Sequence, residues 1–485
     1  MQVLKEASHY GESKVGEGKK VLVEFSSPNI AKPFHAGHLR TTIIGNFIRN
    51  LYKSQGYSTI AMNYLGDWGK QYGLLAVGFT RFGNEELLLQ DPIKHLFEVY
   101  VKVSAAAEAD STLHDEARDY FRKMELGHEE NLQLWRKFRD LSICKYKELY
   151  KRLNIEFDVY SGESFYEEGM KKSIERLKSH SLLEESKGAQ IVDLSADKLG
   201  KAVIVKTDGA TLYLTRDIAA AEGRFEEFKF DKMIYVIASE QDLHMKQLFK
   251  ILSLMKFEWA DRLEHINYGM VLGMSTRKGN VVFLEDIIEE SKAQMHAVMK
   301  SNEAKYAQIE NPDETAEILA MSAIIIQDMA ARRIKDYTFS MERMTSFEGD
   351  TGPYLQYAHS RLCSVERKLG LESEVGLRLD SAIQQDSIES AVDFSLLTEP
   401  EALDLAFLLS RYPNVLSEAL RSLEPCVLVT YLMSVSHAVS NAWEKLWVMG
   451  QEAQLQTARL ALYRAARFTI CNGLLILGIR PLERM

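Results

Sequence analysis

The sequence has little sulfur chemistry to offer. Its four cysteines, Cys144, Cys363, Cys426 and Cys471, lie far apart and form none of the paired spacings of a zinc or redox motif. They read as reduced core or surface thiols. No run of about eighteen apolar residues is present, which excludes a membrane-spanning helix. The opening Met1-Gln2-Val3-Leu4-Lys5-Glu6 lacks the apolar core of a secretory signal, and Glu6, Glu12 and Glu17 run against a basic transit peptide. The expectation is a cytoplasmic protein with no membrane partner. Positive charge is outnumbered, 59 Lys and Arg against 69 Asp and Glu, for a net charge of −10. That excludes a uniformly basic nucleic-acid-binding surface but not a local basic groove, because phosphate contacts depend on where Lys and Arg are concentrated. Internal repeats and low-complexity tracts are also missing, so neither a solenoid nor a disordered arm is expected.

What is present is enough apolar material for a sizeable core: 485 residues, 46% of them hydrophobic. The length suggests about two to four packing units. Lys20-Val21-Leu22-Val23-Glu24-Phe25 reads as a buried strand entering a loop at Ser26-Ser27-Pro28-Asn29. Ile43, Ile44, Phe47, Ile48 and Leu51 fall at helical spacing, Gly56 supplies a stop, and residues 58–65 look like a second strand. Strand, loop, helix and strand in this order begin a βαβ unit of a nucleotide-binding sheet. Residues 84–153 are charged and helical with no glycine-rich phosphate loop, and read as an insertion that Phe157 to Ser161 closes. Residues 202–206, 211–215 and 233–238 read as strands, with helices from Arg216 and from Gln241, as the second half of the sheet. After about Asp286 the pattern is helical, with no further strand.

The loop after the first strand carries His35 and His38 on either side of Gly37. A loop entering a helix presents backbone N–H groups and the positive end of the helix dipole to an anion. Gly37, without a Cβ, lets adenine or ribose approach the backbone, and two imidazoles can donate to phosphate oxygens. The same two histidines also fit a pair of metal ligands, so the pair alone leaves both readings open.

A longer string narrows them. Ser26-Ser27-Pro28-Asn29-Ile30-Ala31-Lys32-Pro33-Phe34-His35-Ala36-Gly37-His38-Leu39-Arg40, followed by Asn63-Tyr64-Leu65-Gly66-Asp67-Trp68-Gly69, closely resembles the arginyl-tRNA synthetase family in its fungal and other eukaryotic form. Tyr160-Ser161-Gly162-Glu163-Ser164, Tyr213-Leu214-Thr215-Arg216-Asp217, Ser239-Glu240-Gln241-Asp242 and Met274-Ser275-Thr276-Arg277-Lys278-Gly279 follow in the family's order. The resemblance runs from about Lys20 to Met485.

It implies an α/β protein: a Rossmann-like class I synthetase catalytic domain over residues 20–285, with an inserted helical or mixed subdomain at about 84–160. A helical connection over 286–345 and an all-α anticodon-binding domain over 346–485 follow. Residues 1–19 are expected to be an extension or remnant of the family's usual N-terminal domain, a unit of roughly a hundred residues. The implied reaction is ATP-dependent activation of L-arginine to arginyl-adenylate and transfer to the 3′ end of tRNA(Arg), with tRNA needed for the activating step. Mg²⁺ is expected to arrive on ATP, with no dedicated carboxylate cage or other metal site, and the protein is expected to be a monomer.

The site residues follow position by position. His35, Gly37, His38 and the second signature loop, Met274, Ser275, Thr276, Arg277 and Lys278, are expected to hold ATP. The usual second lysine of that loop is absent, so Lys32 is expected to substitute for it on the phosphates; the alternative is a solvated surface lysine. Glu163 and Asp217 are expected to hold the substrate guanidinium, because carboxylates meet a planar fork in a bidentate, charge-assisted geometry, with Tyr213 lining the side-chain slot. Ser27, Asn29 and Gln241 would hold its ammonium and carboxylate. In isolation Asp217 reads as a helix N-cap and Glu163 as a turn residue. Tyr354, Tyr357, Trp443, Trp447 and Met485 are expected to face tRNA, whose splayed bases stack on aromatic rings. Trp443 and Trp447, four apart, read equally well as core residues on one helix face. A noncatalytic tRNA-binding paralogue predicts decay of the phosphate and arginine residues, which is not seen; transfer of the arginyl group to another acceptor stays open.

Overall fold

A computed structural model describes residues 1–34, 36–207, 209, 211–272, 283–344, 346, 349–369, 379–381, 383–384 and 387–485. The described chain divides into two compact units. The first comprises Lys19–Gly45 and Thr59–Tyr268, the second Met1–Gly18, Asn46–Ser58 and Gly269–Met485.

The first unit is built on a five-stranded sheet of β1 (Lys20–Glu24), β2 (Ser58–Leu65), β3 (Val159–Gly162), β7 (Lys232–Val236) and β8 (Leu263–Ile266), in the order β3-β2-β1-β7-β8. The described pairings are parallel: Leu22 lies opposite Met233, Asn63 opposite Tyr160 and Ile234 opposite Glu264. Parallel strands require crossovers that cover both faces with helices, which is why Val21, Leu22 and Val23 are all fully buried. Strand order reverses at β1, with β2 on one side and β7 on the other. Open α/β sheets bind ligands outside the carboxyl ends of the strands at such a switch point.

Two expectations need correction here. Residues 211–215 alternate like a strand, yet only Thr211 makes an isolated bridge, to Val205, and a helix starts at Tyr213. Leu214, Ile218 and Ala221 of this Tyr213–Phe228 helix enter the core beside Phe230 and Trp259, so tertiary burial at helical spacing overrides the local alternation. The strand expected at 202–206 exists as β6 (Lys201–Val205) but outside the main sheet. It completes an antiparallel sheet with β4 (Glu184–Ser186) and β5 (Ala189–Asp193). Lys187 and Gly188, both at positive φ, turn the chain between β4 and β5, the backbone that matches hairpin twist.

The second unit is mainly helical. Its N-terminal segment is tied down by Tyr10, which donates to the Leu409 carbonyl at 2.8 Å and stacks on Tyr412, and by Asn472, whose amide reaches the Ala7 and Tyr10 carbonyls. The expectation of no strand after 286 also needs correction. β10 (Tyr337–Thr338) pairs in parallel with β9 (Val271–Leu272), an edge two residues long that leaves no periodic signal. The Gly352–Leu369 helix approaches the Pro312–Met329 helix so closely that a Cβ on Gly352 would stand 2.1 Å from the Ser322 carbonyl oxygen. Gln356 then donates to the Ser322 hydroxyl at 2.9 Å and to the Arg480 carbonyl at 2.8 Å, while accepting from Leu482 N–H. The C-terminal tail is thereby pinned to this helix pair. Gly352→Ala should force the two backbones apart and lower stability by about 1–3 kcal/mol, read as a lower urea midpoint.

Candidate active site

Loops that follow four of the parallel strands deliver polar residues to one edge of the sheet. After β1 the chain turns through Ser26 and Ala31, both at positive φ. The Ser26 N–H donates to the Thr41 hydroxyl, which itself donates to the Val236 carbonyl at the end of β7 at 2.7 Å. Asn29 bridges Gly66 after β2, and a Cβ on Gly66 would meet the Asn29 Oδ1 at 2.1 Å. That contact explains the glycine. The Tyr146 hydroxyl lies 2.9 Å from the carbonyls of both Asn29 and Lys32, and the Lys32 ammonium sits 5.8 Å over the Tyr100 ring. His38 packs on Phe34 with ring centroids 5.2 Å apart. Ser27, Gly37 and Gln241 are exposed. His35, Met274, Ser275, Thr276, Arg277 and Lys278 lie outside the described residues.

Glu163 follows β3 directly and opens a single turn, Glu163–Tyr166. Behind that turn lies Asp67, a fully buried carboxylate. Asp67 accepts from the Ser164 N–H and hydroxyl, each at 2.9 Å, and from Arg139 Nε at 2.8 Å, while its carbonyl accepts from the Trp135 indole at 2.7 Å. Gly162 must lack a Cβ, since one would stand 2.2 Å from Asp67 Oδ2.

Asp217 lies in the first turns of the Tyr213–Phe228 helix, which runs back to the start of β7 and so begins at the carboxyl edge of the sheet. It is therefore not an N-cap; Leu212 holds that position. His244 Nε2 is 2.7 Å from Asp217 Oδ2, and the His244 ring packs on Tyr213, which is 65% exposed. Glu163 pairs with Arg216 at 3.1 Å. Burial pushes the Glu163 carboxyl up to about 7; Arg216 opposes the shift, and Asp217 and Asp67 add to it. Deeper in the unit Glu24, the last residue of β1, forms a buried ion pair with Arg224. The Arg224 guanidinium lies 4.5 Å from the centre of the Tyr64 ring and 5.8 Å from that of Tyr235. Burial raises the Glu24 carboxyl and Arg224 opposes it, while Asp217 adds to the rise. Glu24, Asp67, Arg139, Arg216, Arg224 and His244 were not singled out from sequence. Asp67 and Arg216 stand inside the quoted motif strings, which was the available signal; pairings across 27 to 200 residues leave none.

In the second unit a cavity of about 980 Å³ is lined by Tyr357, Arg361, Trp443, Trp447, Tyr463 and Met485, among others. Arg361 lies 4.0 Å from the Trp443 ring centre and 5.8 Å from that of Tyr357, distances suited to cation–π attraction. The shared helix face expected for the two tryptophans needs correction: the helix ends at Lys445, and Trp447 stands beyond it, 68% exposed. Tyr354 is not at this wall; its hydroxyl is 3.2 Å from His437 Nδ1 and 3.1 Å from Ser440 Oγ.

Asp67→Ala should lower stability by about 3–5 kcal/mol, because the largely enclosed Arg139 Nε and the Ser164 N–H and hydroxyl all lose the buried carboxylate that accepts from them. Chemical denaturation checks this, and a loss below about 1 kcal/mol would show that the tie is dispensable.

The profile described as "tRNA synthetases class I (R), catalytic domain" matches residues 1–341, and that described as "DALR anticodon binding domain" matches residues 355–485. The chain is 56% identical to the cytoplasmic arginine–tRNA ligase of Saccharomyces cerevisiae, over 100% of this chain and 79% of that protein. It is 49% identical to the mitochondrial arginine–tRNA ligase of the same yeast, over 100% of this chain and 75% of that one. Among solved structures, arginyl-tRNA synthetase from Plasmodium falciparum superposes with a TM-score of 0.82 at 24% identity, covering 99% of this chain and 82% of that one. The Thermus thermophilus enzyme gives 0.81 at 22% identity, covering 100% and 85%; these two likenesses speak to the fold. A parallel nucleotide-binding sheet with helical insertions, an anticodon-binding helical region and a full-length match at this identity make the chain a member of the arginyl-tRNA synthetase family, class I.

Proposed function

We infer that the chain is an arginine–tRNA ligase, which activates L-arginine with ATP and esterifies tRNA(Arg). The observation that carries the reading is Glu163 and Asp217, two acids brought to the carboxyl edge of the sheet, where Glu163 pairs with Arg216, the chain neighbour of Asp217, in a chain 56% identical over its full length to a yeast ligase of that name. Glu163 and Asp217 take the guanidinium, Tyr213 lines its slot, and Ser27, Asn29 and Gln241 hold the ammonium and carboxylate. Lys32, His35, Gly37 and His38 receive the triphosphate, together with Met274, Ser275, Thr276, Arg277 and Lys278. Their donors meet charge that grows on the α-phosphate as the arginine carboxylate attacks and pyrophosphate leaves. The 3′-terminal ribose hydroxyl of tRNA then attacks the adenylate carbonyl and AMP departs. Mg²⁺ enters with ATP as part of the substrate.

The cavity walled by Tyr357, Trp443, Trp447 and Met485 takes bases of the anticodon loop, with Arg361 near enough to serve a phosphate or a base face. Trp447→Ala should weaken tRNA(Arg) binding by about ten- to a hundredfold, the loss of one stacked base, with ATP- and arginine-dependent steps unchanged at saturating tRNA. The similarity to cytoplasmic relatives at 56% and 52% identity supports the same compartment here.

Adenylate formation with and without tRNA, run beside charging of purified tRNA(Arg), tests the activity. Adenylate without charging would assign another acceptor, and neither activity would leave only a tRNA-binding role. Asp217→Asn should lower kcat/KM for arginine by about 30-fold or more, because it strips one charge from a guanidinium partner; unchanged arginine kinetics would overturn the assignment. With its pKa at about 7, Glu163 gains a proton as pH falls and then loses its attraction for a guanidinium. The KM for arginine should therefore rise from about pH 8 to about pH 6, approaching tenfold per unit at the acid end.

A further inference from the structure

Each acid assigned to the substrate guanidinium already has a partner from the chain itself. Asp217 faces His244 at 2.7 Å, and Glu163 faces Arg216 at 3.1 Å. Resting on the arginine-site reading above, we propose that Arg216 is an internal stand-in for the substrate guanidinium, pairing with Glu163 and exchanging with the arginine that arrives.

Three features support exchange over a permanent pair. First, the contact is a single one, Nη1 to Oε2, and Arg216 Nε is buried with no hydrogen-bond partner among the described residues. A guanidinium meeting a carboxylate through two parallel bonds would bind better, so Arg216 holds Glu163 in less than the best available geometry. Second, mobility is unequal on the two sides. The backbone at Glu163 is fixed by the Ser164 bonds to buried Asp67, whereas Arg216 sits at the end of a long side chain whose loss of one contact frees several torsions. Third, the arrangement differs from the neighbouring Glu24–Arg224 pair, where both side chains are almost wholly buried and three tyrosine rings surround the guanidinium. Nothing there is positioned to be replaced. Arg216 and Glu163 instead keep 16% and 26% exposure.

Tyr213, Arg216 and Asp217 stand at positions i, i+3 and i+4 of one helix and so share a face. A ligand that reaches Tyr213 and Asp217 therefore meets Arg216 on its way to Glu163. Its chemical sense is electrostatic. A carboxylate buried beside Asp217 and Asp67 tends to take up a proton, and a protonated Glu163 is a poor guanidinium partner. Arg216 opposes that uptake, so the incoming arginine meets an ionised acid, and one guanidinium replaces another with little net change in charge.

The other groups that bear on this pair are Tyr64 and Tyr72, which feel the Glu163 charge, and Glu125, which feels Arg216. His244 faces Asp217. Arg139 pairs with Asp67.

The test is calorimetric titration of L-arginine into the full chain and into Arg216→Gln and Arg216→Lys. It is run at about pH 8.5, where Glu163 is largely ionised, and at about pH 7 in buffers of different ionisation enthalpy. Exchange predicts that removing the stand-in tightens arginine binding at the higher pH by roughly tenfold in Arg216→Gln, the order of one charge-assisted hydrogen bond. A smaller gain is expected in Arg216→Lys, which keeps the charge without the fork. At the lower pH Arg216→Gln should release more protons on binding arginine than the unmodified chain does. His244 is present in both chains, so the difference reads Glu163. Arginine binding at the higher pH that is unchanged or weaker in both variants would overturn the proposal, and so would equal proton release. If Arg216→Gln does not fold, Arg216→Lys, which keeps the charge and so the proton count, carries the affinity comparison alone. Glu163→Gln separates the two levels of inference. Unchanged arginine affinity in that variant would remove the site assignment itself, whereas weaker binding there together with weaker binding in the Arg216 variants would keep the site and remove only the exchange.

Discussion

Asp67 is a carboxylate with no access to water, and the catalytic unit is arranged around satisfying it. Taking one ion out of solvent costs several kcal/mol unless donors meet it in good geometry. The donors come from two distant stretches of chain: Ser164 just beyond β3, and Arg139 in the Glu129–Arg152 helix of the insertion. Three donors converging on two oxygens hold the turn after β3, and with it Glu163, against the loop after β2. Gly162 is the concession that this closeness demands. The helical insertion is thus a structural member of the site, since without Arg139 the carboxylate beneath Glu163 would lack its counter-charge.

A second pattern is the matching of acids with internal basic side chains, three arginines and one imidazole, at the carboxyl edge of the sheet. Glu24 has Arg224, Asp67 has Arg139, Glu163 has Arg216, and Asp217 has His244. Burial decreases along that series from the first two, where the acids are almost wholly enclosed, to the last two, where both partners remain partly open to solvent. A pocket for a cationic substrate needs negative charge that does not simply protonate. In the arginine-site reading proposed above, graded pairing provides it: the enclosed pairs set the field, and the open ones present acids to the ligand. The helical unit uses its cations differently, laying Arg361 against the Trp443 ring beside an exposed Trp447.

Legibility from sequence varied with the range of the interaction that decides each feature. β1, β2 and β7 are short β-branched runs bounded by turn residues, and local pattern suffices for them. The 211–215 stretch misleads because five alternating residues fit a strand and the start of a buried helix alike, and only Leu214, Ile218 and Ala221 meeting one core resolves it. The antiparallel sheet carried a readable mark in Lys187-Gly188, a turn pair at positive φ, but which sheet β6 joins depends on partners that no local pattern names. Trp447 was paired with Trp443 by spacing alone, and the helix stops between them.

By itself the sequence determined the family, the parallel sheet with helical surroundings, and the motif residues near which chemistry is expected, because those follow from short strings and from residue types that few other reactions require. Tertiary structure alone decided how the acids are partnered. Glu163 meets Arg216 across 53 residues and Asp67 meets Arg139 across 72, and such pairings exist only because parallel strands end at a common edge and bring their following loops together. Whether an acid in a motif is a bare charge, a buried strut or a site held by a partner that can exchange is a property of that edge.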